Sequence, residues 1–306
     1  MERCLARDLE GVRAMRSGVG GRSLAAFVIV LLLLLPSVVQ PIGGEAKPRS
    51  RGHTGERIIG GSVASPGQFP FVVALMVSGQ KTDPVKRQFC GGSIIAERYV
   101  LTAAHCVGVA PRQRLQVLAG RVNLRGEGGQ VRRVAAIYRN PNYIDARVGY
   151  DVAVLELDRP FAFNEAVGAA SLVTEGDESL QQPGSFPAVA GWGSLVRQIP
   201  GKKARRPHYP SAMRWTTVPV TTRDRCQSAN WLTPRDAAVV FCAGSGAHDS
   251  CQGDSGGPLF AHHDGEWVQI GIVDAGLGCA APKFPGMYAR LSAPVINQWV
   301  RQIAKL

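Results

Sequence analysis

Asp249-Ser250-Cys251-Gln252-Gly253-Asp254-Ser255-Gly256-Gly257-Pro258-Leu259 is the stretch on which the reading of this chain turns. A serine set among glycines and acids suits neither a helix nor a strand. Gly253, Gly256 and Gly257 allow a tight backbone with no side chains in the way. Such a loop can hold one hydroxyl toward a substrate while aiming backbone N–H groups at the same point. A lone G-D-S-G would be better read as a surface turn. The longer string is far more specific, provided a base and an orienting acid lie upstream.

A serine hydroxyl is a poor nucleophile at neutral pH and needs such a base. His105, in Leu101-Thr102-Ala103-Ala104-His105-Cys106, is the candidate, because the other five histidines lack its apolar, cysteine-bracketed context. Asp151, in Gly149-Tyr150-Asp151-Val152-Ala153-Val154-Leu155, stands directly before an apolar strand. A carboxylate buried there would need a partner, and an imidazole N–H is a suitable one. The order His, Asp, Ser is one of the known chain orders for this geometry.

With these residues in place, the chain from Ile58 onward resembles the trypsin-like (chymotrypsin-fold) serine proteases. Further matching segments are Arg57-Ile58-Ile59-Gly60-Gly61, Cys90-Gly91-Gly92-Ser93, Gly191-Trp192-Gly193, Phe241-Cys242-Ala243-Gly244 and Pro285-Gly286-Met287-Tyr288. The resemblance implies an all-β fold of two six-stranded antiparallel β-barrels packed face to face, with a C-terminal α-helix. It implies Ser255 as nucleophile, His105 as base and then acid, Asp151 as the orienting carboxylate, and the N–H groups of Gly253 and Ser255 as the oxyanion hole. Asp249 would floor a specificity pocket for Arg or Lys, with Ser250, Gly276, Gly286 and Asp274 among the substrate-binding positions. Cleavage at Arg57–Ile58 would free an amine to pair with Asp254, so the uncut chain would be a zymogen. The implied disulfides are Cys90–Cys106, Cys226–Cys242 and Cys251–Cys279.

The chain departs from the family pattern at Asp274-Ala275-Gly276, where Ser-Trp-Gly is usual. Asp274 brings a second carboxylate toward Asp151, so one of the two is expected to be protonated or turned outward. Ala275 removes an aromatic wall and is expected to widen the neighbouring subsites. Residues 120–127, where some relatives bind calcium, hold only Glu127 as an acid beside two arginines. A hard cation needs several oxygen ligands, so no metal is expected there.

Composition fits this expectation. The chain has 306 residues, 36 of them Gly and 20 Pro, which suits many short strands joined by turns. Strand-like runs are Phe71–Val77, Ser93–Ile95, Arg114–Ala119, Val131–Tyr138, Val152–Leu157, Ala188–Ala190 and Val268–Val273. Val295, Ile296, Trp299, Val300 and Ile303 fall at helical spacing. Residues 196–210 read as a basic, turn-rich surface loop.

Residues 24–35 are apolar throughout, follow Arg13, Arg16 and Arg22, and end at Pro36. They are short for a membrane span, which needs about 20 residues. Residues 1–46 are therefore expected to be a signal peptide, with an uncleaved signal anchor as the alternative. Residues 47–57 would be a short basic propeptide and residues 58–306 the protease domain. Seven cysteines are present, and Cys4 precedes the apolar run. The remaining six suit disulfides in a secreted chain, extracellular or periplasmic, although spacing alone leaves their pairing open. No C-x-x-C pair points to zinc, and no cofactor is expected.

The net charge is +12, with basic residues outnumbering acidic ones by 9 to 5 over residues 1–57 and by 26 to 18 over residues 58–306. No nucleic-acid-binding motif accompanies it. Expected partners are protein or peptide substrates bearing Arg or Lys and proteinaceous inhibitors, with no nucleic acid, no stable membrane association after signal removal, and a monomeric state. The competing reading is a weakly active or inactive protease homologue acting as a secreted basic binding protein. An esterase-type fold is disfavoured because no G-x-S-x-G stands in a strand–helix context.

Overall fold

Alternating apolar runs, broken every few residues by glycine or proline, build this chain almost entirely from short strands. The computed structural model describes residues 59–306, apart from 80–82, 234 and 245. The expected signal peptide, the basic segment 47–57, Arg57, Ile58 and Cys4 lie outside the described residues.

In chain order the elements are β1 (Ser62–Val63), β2 (Val72–Val77), α1 (Pro84–Arg87), β3 (Gln88–Ala96), β4 (Tyr99–Thr102), β5 (Leu115–Ala119), β6 (Gln130–Arg139) and β7 (Ala153–Leu157). There follow β8 (Ser171–Leu172), β9 (Ala188–Gly191), β10 (Arg214–Thr217), α2 (Arg223–Asn230), α3 (Asp236–Val239), β11 (Val240–Ala243), β12 (Pro258–His263), β13 (Glu266–Val273), β14 (Gly286–Arg290) and α4 (Pro294–Ala304).

Six antiparallel strands close the first barrel in the order β2-β3-β4-β7-β6-β5. The second sheet has eight strands and runs β1-β10-β9-β12-β13-β14-β11, with β8 joining the side of β13 in parallel. The all-β class and the C-terminal helix are as expected. In the second half, β11 also bonds back to the chain that follows β10, where Thr221 N–H donates to the Cys242 carbonyl at 2.9 Å and Gly244 N–H to the Pro219 carbonyl at 3.0 Å. Short β1 extends the sheet edge by pairing Ser62 with Trp215.

Between the sheets, Phe69, Phe71, Trp215, Phe260 and Trp267 meet mostly edge to face, with ring centroids 5.0–6.4 Å apart. Burying each of the three phenylalanines, Phe69, Phe71 and Phe260, contributes about 1.5–3 kcal/mol. A polar tie spans the same seam, where the buried Ser93 hydroxyl donates to Gln269 Oε1 at 2.6 Å.

The helix α4 exposes Val295 and buries Ile296, Asn297, Val300 and Ala304. Asn297 takes the inward place because its amide donates to the carbonyls of Val173 at 2.9 Å and Leu291 at 2.8 Å. Among the described residues, no helix is long and apolar enough to cross a membrane.

Candidate active site

Strand register brings the base and acid candidates together. Thr102 at the end of β4 pairs with Ala153 at the start of β7 in antiparallel register. The chain leaving β4 therefore runs beside the chain entering β7. Ala103 and Ala104 are fully buried, and their small side chains let the backbone turn tightly into the 3-10 turn His105–Gly108. The His105 backbone N–H then donates to Asp151 Oδ1 at 2.8 Å, and its ring Nδ1 bonds Asp151 Oδ2. Burial alone would push the Asp151 carboxyl up. The hydrogen bonds from His105 and its attraction outweigh it, and hold the carboxyl below its ordinary range. The Cys90–Cys106 disulfide ties the histidine turn to β3.

The serine loop is docked on the first barrel through β3 and β4. Gly91 N–H donates to the Ser255 carbonyl at 2.8 Å, and Gly256 N–H donates to Val273 at 2.7 Å. Gly256 has φ +78°, and a Cβ there would lie 2.8 Å from the Gly91 carbonyl and fall inside the Thr102 hydroxyl. Gly256→Ala is therefore expected to cost about 2–4 kcal/mol of stability, read as a clear drop in Tm. An unchanged Tm would refute this close docking.

Asp254 points inward from the loop. Gly193 N–H donates to its Oδ1 at 2.7 Å and Cys251 N–H to its Oδ2 at 3.0 Å. Complete burial pushes this carboxyl up to about 6 despite those two bonds. A Cβ at Gly191 or Gly193 would fall on the carboxylate, which explains the Gly-Trp-Gly string. Among the described residues, the N–H groups of Gly253 and Ser255 donate to no protein acceptor. The Ser255 side chain is half-buried at the edge of the pocket and forms no hydrogen bond to the His105 ring. Such bonds are often loose before substrate orders them.

A pocket of about 220 Å³ opens beside Ser255, and Asp249, Ser250, Asp274, Gly276 and Gly286 line it. Asp249 is only 3% exposed. Its Oδ2 accepts from Ala280 N–H at 2.8 Å, while its buried Oδ1 has no partner among the described residues. Desolvation pushes this carboxyl up to about 7. A Cβ at Gly286 would stand 3.1 Å from that oxygen, and one at Gly276 would narrow the space toward Gly286. The Ser250 hydroxyl is turned to the Tyr288 hydroxyl, 3.2 Å away. The Cys251–Cys279 bridge braces the pocket wall, and Cys226–Cys242 links α2 to β11.

Asp274 is not turned outward. It is 2% exposed, and it meets Asp151 and His105 with all three sets of polar atoms within 4.8 Å of one another. In the 120–127 loop, Arg121 donates to the carbonyls of Leu124 at 3.1 Å and Gly128 at 3.2 Å, so a guanidinium occupies that turn. Sequence reasoning missed Gln88. Its buried amide donates to the carbonyls of Gly253 at 2.8 Å and Cys90 at 3.1 Å, holding the peptide next to the serine loop. A lone glutamine opening a strand carries no signal that could have revealed this.

The family model described as Trypsin matches residues 58–300. Trypsin alpha of Drosophila erecta is 31% identical over 89% of this chain and 97% of its own length. Trypsin 5G1 of Aedes aegypti is 33% identical over 82% of this chain and 86% of its own. Hypodermin-A of Hypoderma lineatum is 30% identical over 87% and 95%. Joined to a closed antiparallel barrel, a second sheet and a serine loop seated against a bonded histidine–aspartate pair, these matches show that the chain belongs to the trypsin family of serine endopeptidases.

Proposed function

We propose that this chain is made as a secreted zymogen, and that its active form cuts peptide bonds after Arg or Lys. Ser255 Oγ attacks the scissile carbonyl carbon while His105 Nε2 takes the hydroxyl proton. Asp151, bonded to Nδ1, fixes the tautomer and stabilises the imidazolium that forms. The N–H groups of Gly253 and Ser255 receive the oxyanion, and each such donor contributes about 3 kcal/mol in the transition state. His105 then protonates the leaving amine. A water, deprotonated by the same imidazole, hydrolyses the acyl-enzyme.

One observation carries the specificity: a buried carboxylate with a free oxygen ends a pocket that opens at Ser255. A guanidinium or ammonium entering there gains a charge-assisted bond in a dry site. Activation by cleavage at Arg57–Ile58 is supported by Asp254, a buried acid bonded to two backbone N–H groups and, among the described residues, to no cation. The new Ile58 amine would supply one. Three disulfides support an oxidising compartment.

Purified chain, before and after cleavage at Arg57, should be assayed on Arg, Lys and Phe chromogenic peptides. Arg and Lys turnover that appears only after the cut is the expected result. Preference for Phe would remove Asp249 from the assigned role, and full activity before the cut would remove the zymogen.

A pH dependence follows from Asp249. Its proton competes with a bound cation, so the inhibition constant of a small aryl amidinium should rise about tenfold per pH unit below about 7. Inhibition titrations between pH 5 and 8 test this, and a flat profile would contradict it.

A further inference from the structure

Asp274 is the one acid near the reacting groups that the proposed chemistry leaves unused. Its place is set by backbone: it follows β13 directly, and its N–H donates to the Met287 carbonyl at 3.1 Å. That register turns its carboxyl inward, under Asp151. The side chain is 98% buried, and neither oxygen accepts a hydrogen bond from any N–H or hydroxyl of the described residues.

An ionised carboxylate with no donor, beside a second carboxylate, is an unstable arrangement in a dry site. A neutral carboxylic acid is a stable one, because its O–H is a donor and Asp151 is the acceptor within reach. Asp151 has the capacity: each of its oxygens already accepts one bond from His105, and each retains another lone pair.

We propose that Asp274 is a positioning residue that keeps its proton at neutral pH and donates it in a hydrogen bond to Asp151, so that a carboxyl–carboxylate pair with one negative charge backs the His105 imidazole. No bond is made or broken in this role. The proton stays on Asp274 and fixes the Asp151 carboxylate plane, which in turn fixes the imidazole. It rests on the proposed roles of His105 and Asp151.

The surrounding groups agree. Burial is the first cause that pushes the Asp274 carboxyl well up, followed by the charge of Asp151 and, more weakly, that of Asp145. From the loop between β6 and β7, Tyr143 also faces the pair, and its hydroxyl is pushed up to about 12 by burial and by the charges of Asp151, Asp145 and Asp274. A cation on that side is Arg139, whose guanidinium lies over the Tyr143 ring at 5.7 Å. From the histidine turn the facing group is His105 itself, and from β14 it is the Met287 backbone.

Three measurements test this, and the first two need no turnover. Infrared difference spectra at pH 7, wild type minus Asp274→Asn, should show a carboxylic-acid C=O band. The bands of Asp249 and Asp254 are common to both proteins and cancel. A difference confined to carboxylate bands would overturn the proposal.

The second is stability against pH. A carboxyl raised in the folded state keeps a proton that the unfolded chain has lost, so its contribution becomes less favourable as pH rises above the ordinary carboxylate range. Asp274→Asn should therefore gain Tm over wild type between pH 5 and 7, whereas a constant margin would count against the proposal. Should the Asn variant not fold, Asp274→Ser serves for both measurements.

The third is rate. On Arg substrates Asp274→Ala should lose about tenfold in kcat with KM unchanged, and Asp274→Asn, which still donates to Asp151, should restore most of that loss. Equal losses in the two variants would overturn the positioning role. Absence of all Ser255-dependent hydrolysis would instead defeat the proposed function, leaving the infrared and Tm results to decide the state of Asp274.

Discussion

Ser255→Ala is expected to lower kcat for Arg-peptide hydrolysis by about 10⁶-fold. The size follows from what is lost. Without the hydroxyl no acyl-enzyme forms, and His105 and Asp151 have no proton to move. The residual rate comes from substrate held against the Gly253 and Ser255 N–H groups, which the alanine backbone retains. KM should change little, because the pocket beside Ser255 is walled by other residues. Tm should hold as well, since the hydroxyl makes no protein hydrogen bond among the described residues. Single-turnover assays on activated enzyme check the rate, and a loss below about a hundredfold would move the nucleophile elsewhere.

Asp249→Ser carries the second largest effect. A substrate cation would then enter a dry pocket and meet no charge. Leaving a buried charge without its partner costs about 3–5 kcal/mol, or roughly 10²–10⁴-fold in kcat/KM for Arg and Lys peptides. Phe peptides should gain, because a polar floor without charge no longer opposes an apolar side chain. Stability should not fall. The Asp249 carboxyl is raised by burial to about 7, so the folded wild type is disfavoured as pH climbs from the ordinary carboxylate range toward 7. The serine variant lacks that liability. The ratio of Arg to Phe kcat/KM, with Tm at pH 7, checks both parts.

Much of this arrangement is legible in the amino-acid sequence. The loop 249–259, the His105 turn and Asp151 were readable because each is a string of small residues around one reactive group. The apolar runs of β2, β5, β6, β7 and β13 were readable by length and composition. Other elements were hidden for physical reasons. β11 and β14 lie within strings of Cys, Gly and Met that carry no alternation, and β10 pairs at a sheet edge through Arg214 and Thr217.

At Asp274 the sequence left two outcomes open, an outward turn or a protonated pair. Which holds depends on the β13–β14 register, where Ile272 pairs with Ala289 and Val273 with Tyr288, and no local pattern encodes that. Val295 shows the same limit. It falls at helical spacing yet is exposed, while the polar Asn297 lies inward, where its amide satisfies two carbonyls.

The three bridges have a further meaning when the chain is viewed as a covalent graph. Cys90–Cys106 lies wholly before the exposed basic loop 197–206, and Cys226–Cys242 and Cys251–Cys279 lie wholly after it. Among the described residues, no sulfur linkage straddles that loop. A single cut there would leave two separate polypeptides, the first carrying His105 and Asp151 and the second carrying Ser255. What had been one molecule becomes a noncovalent pair whose survival depends on its own dilution. The lysines and arginines of the loop are side chains that the proposed pocket would accept. Cleavage there by an enzyme of the proposed specificity would thus place the base and acid on one polypeptide and the nucleophile on another.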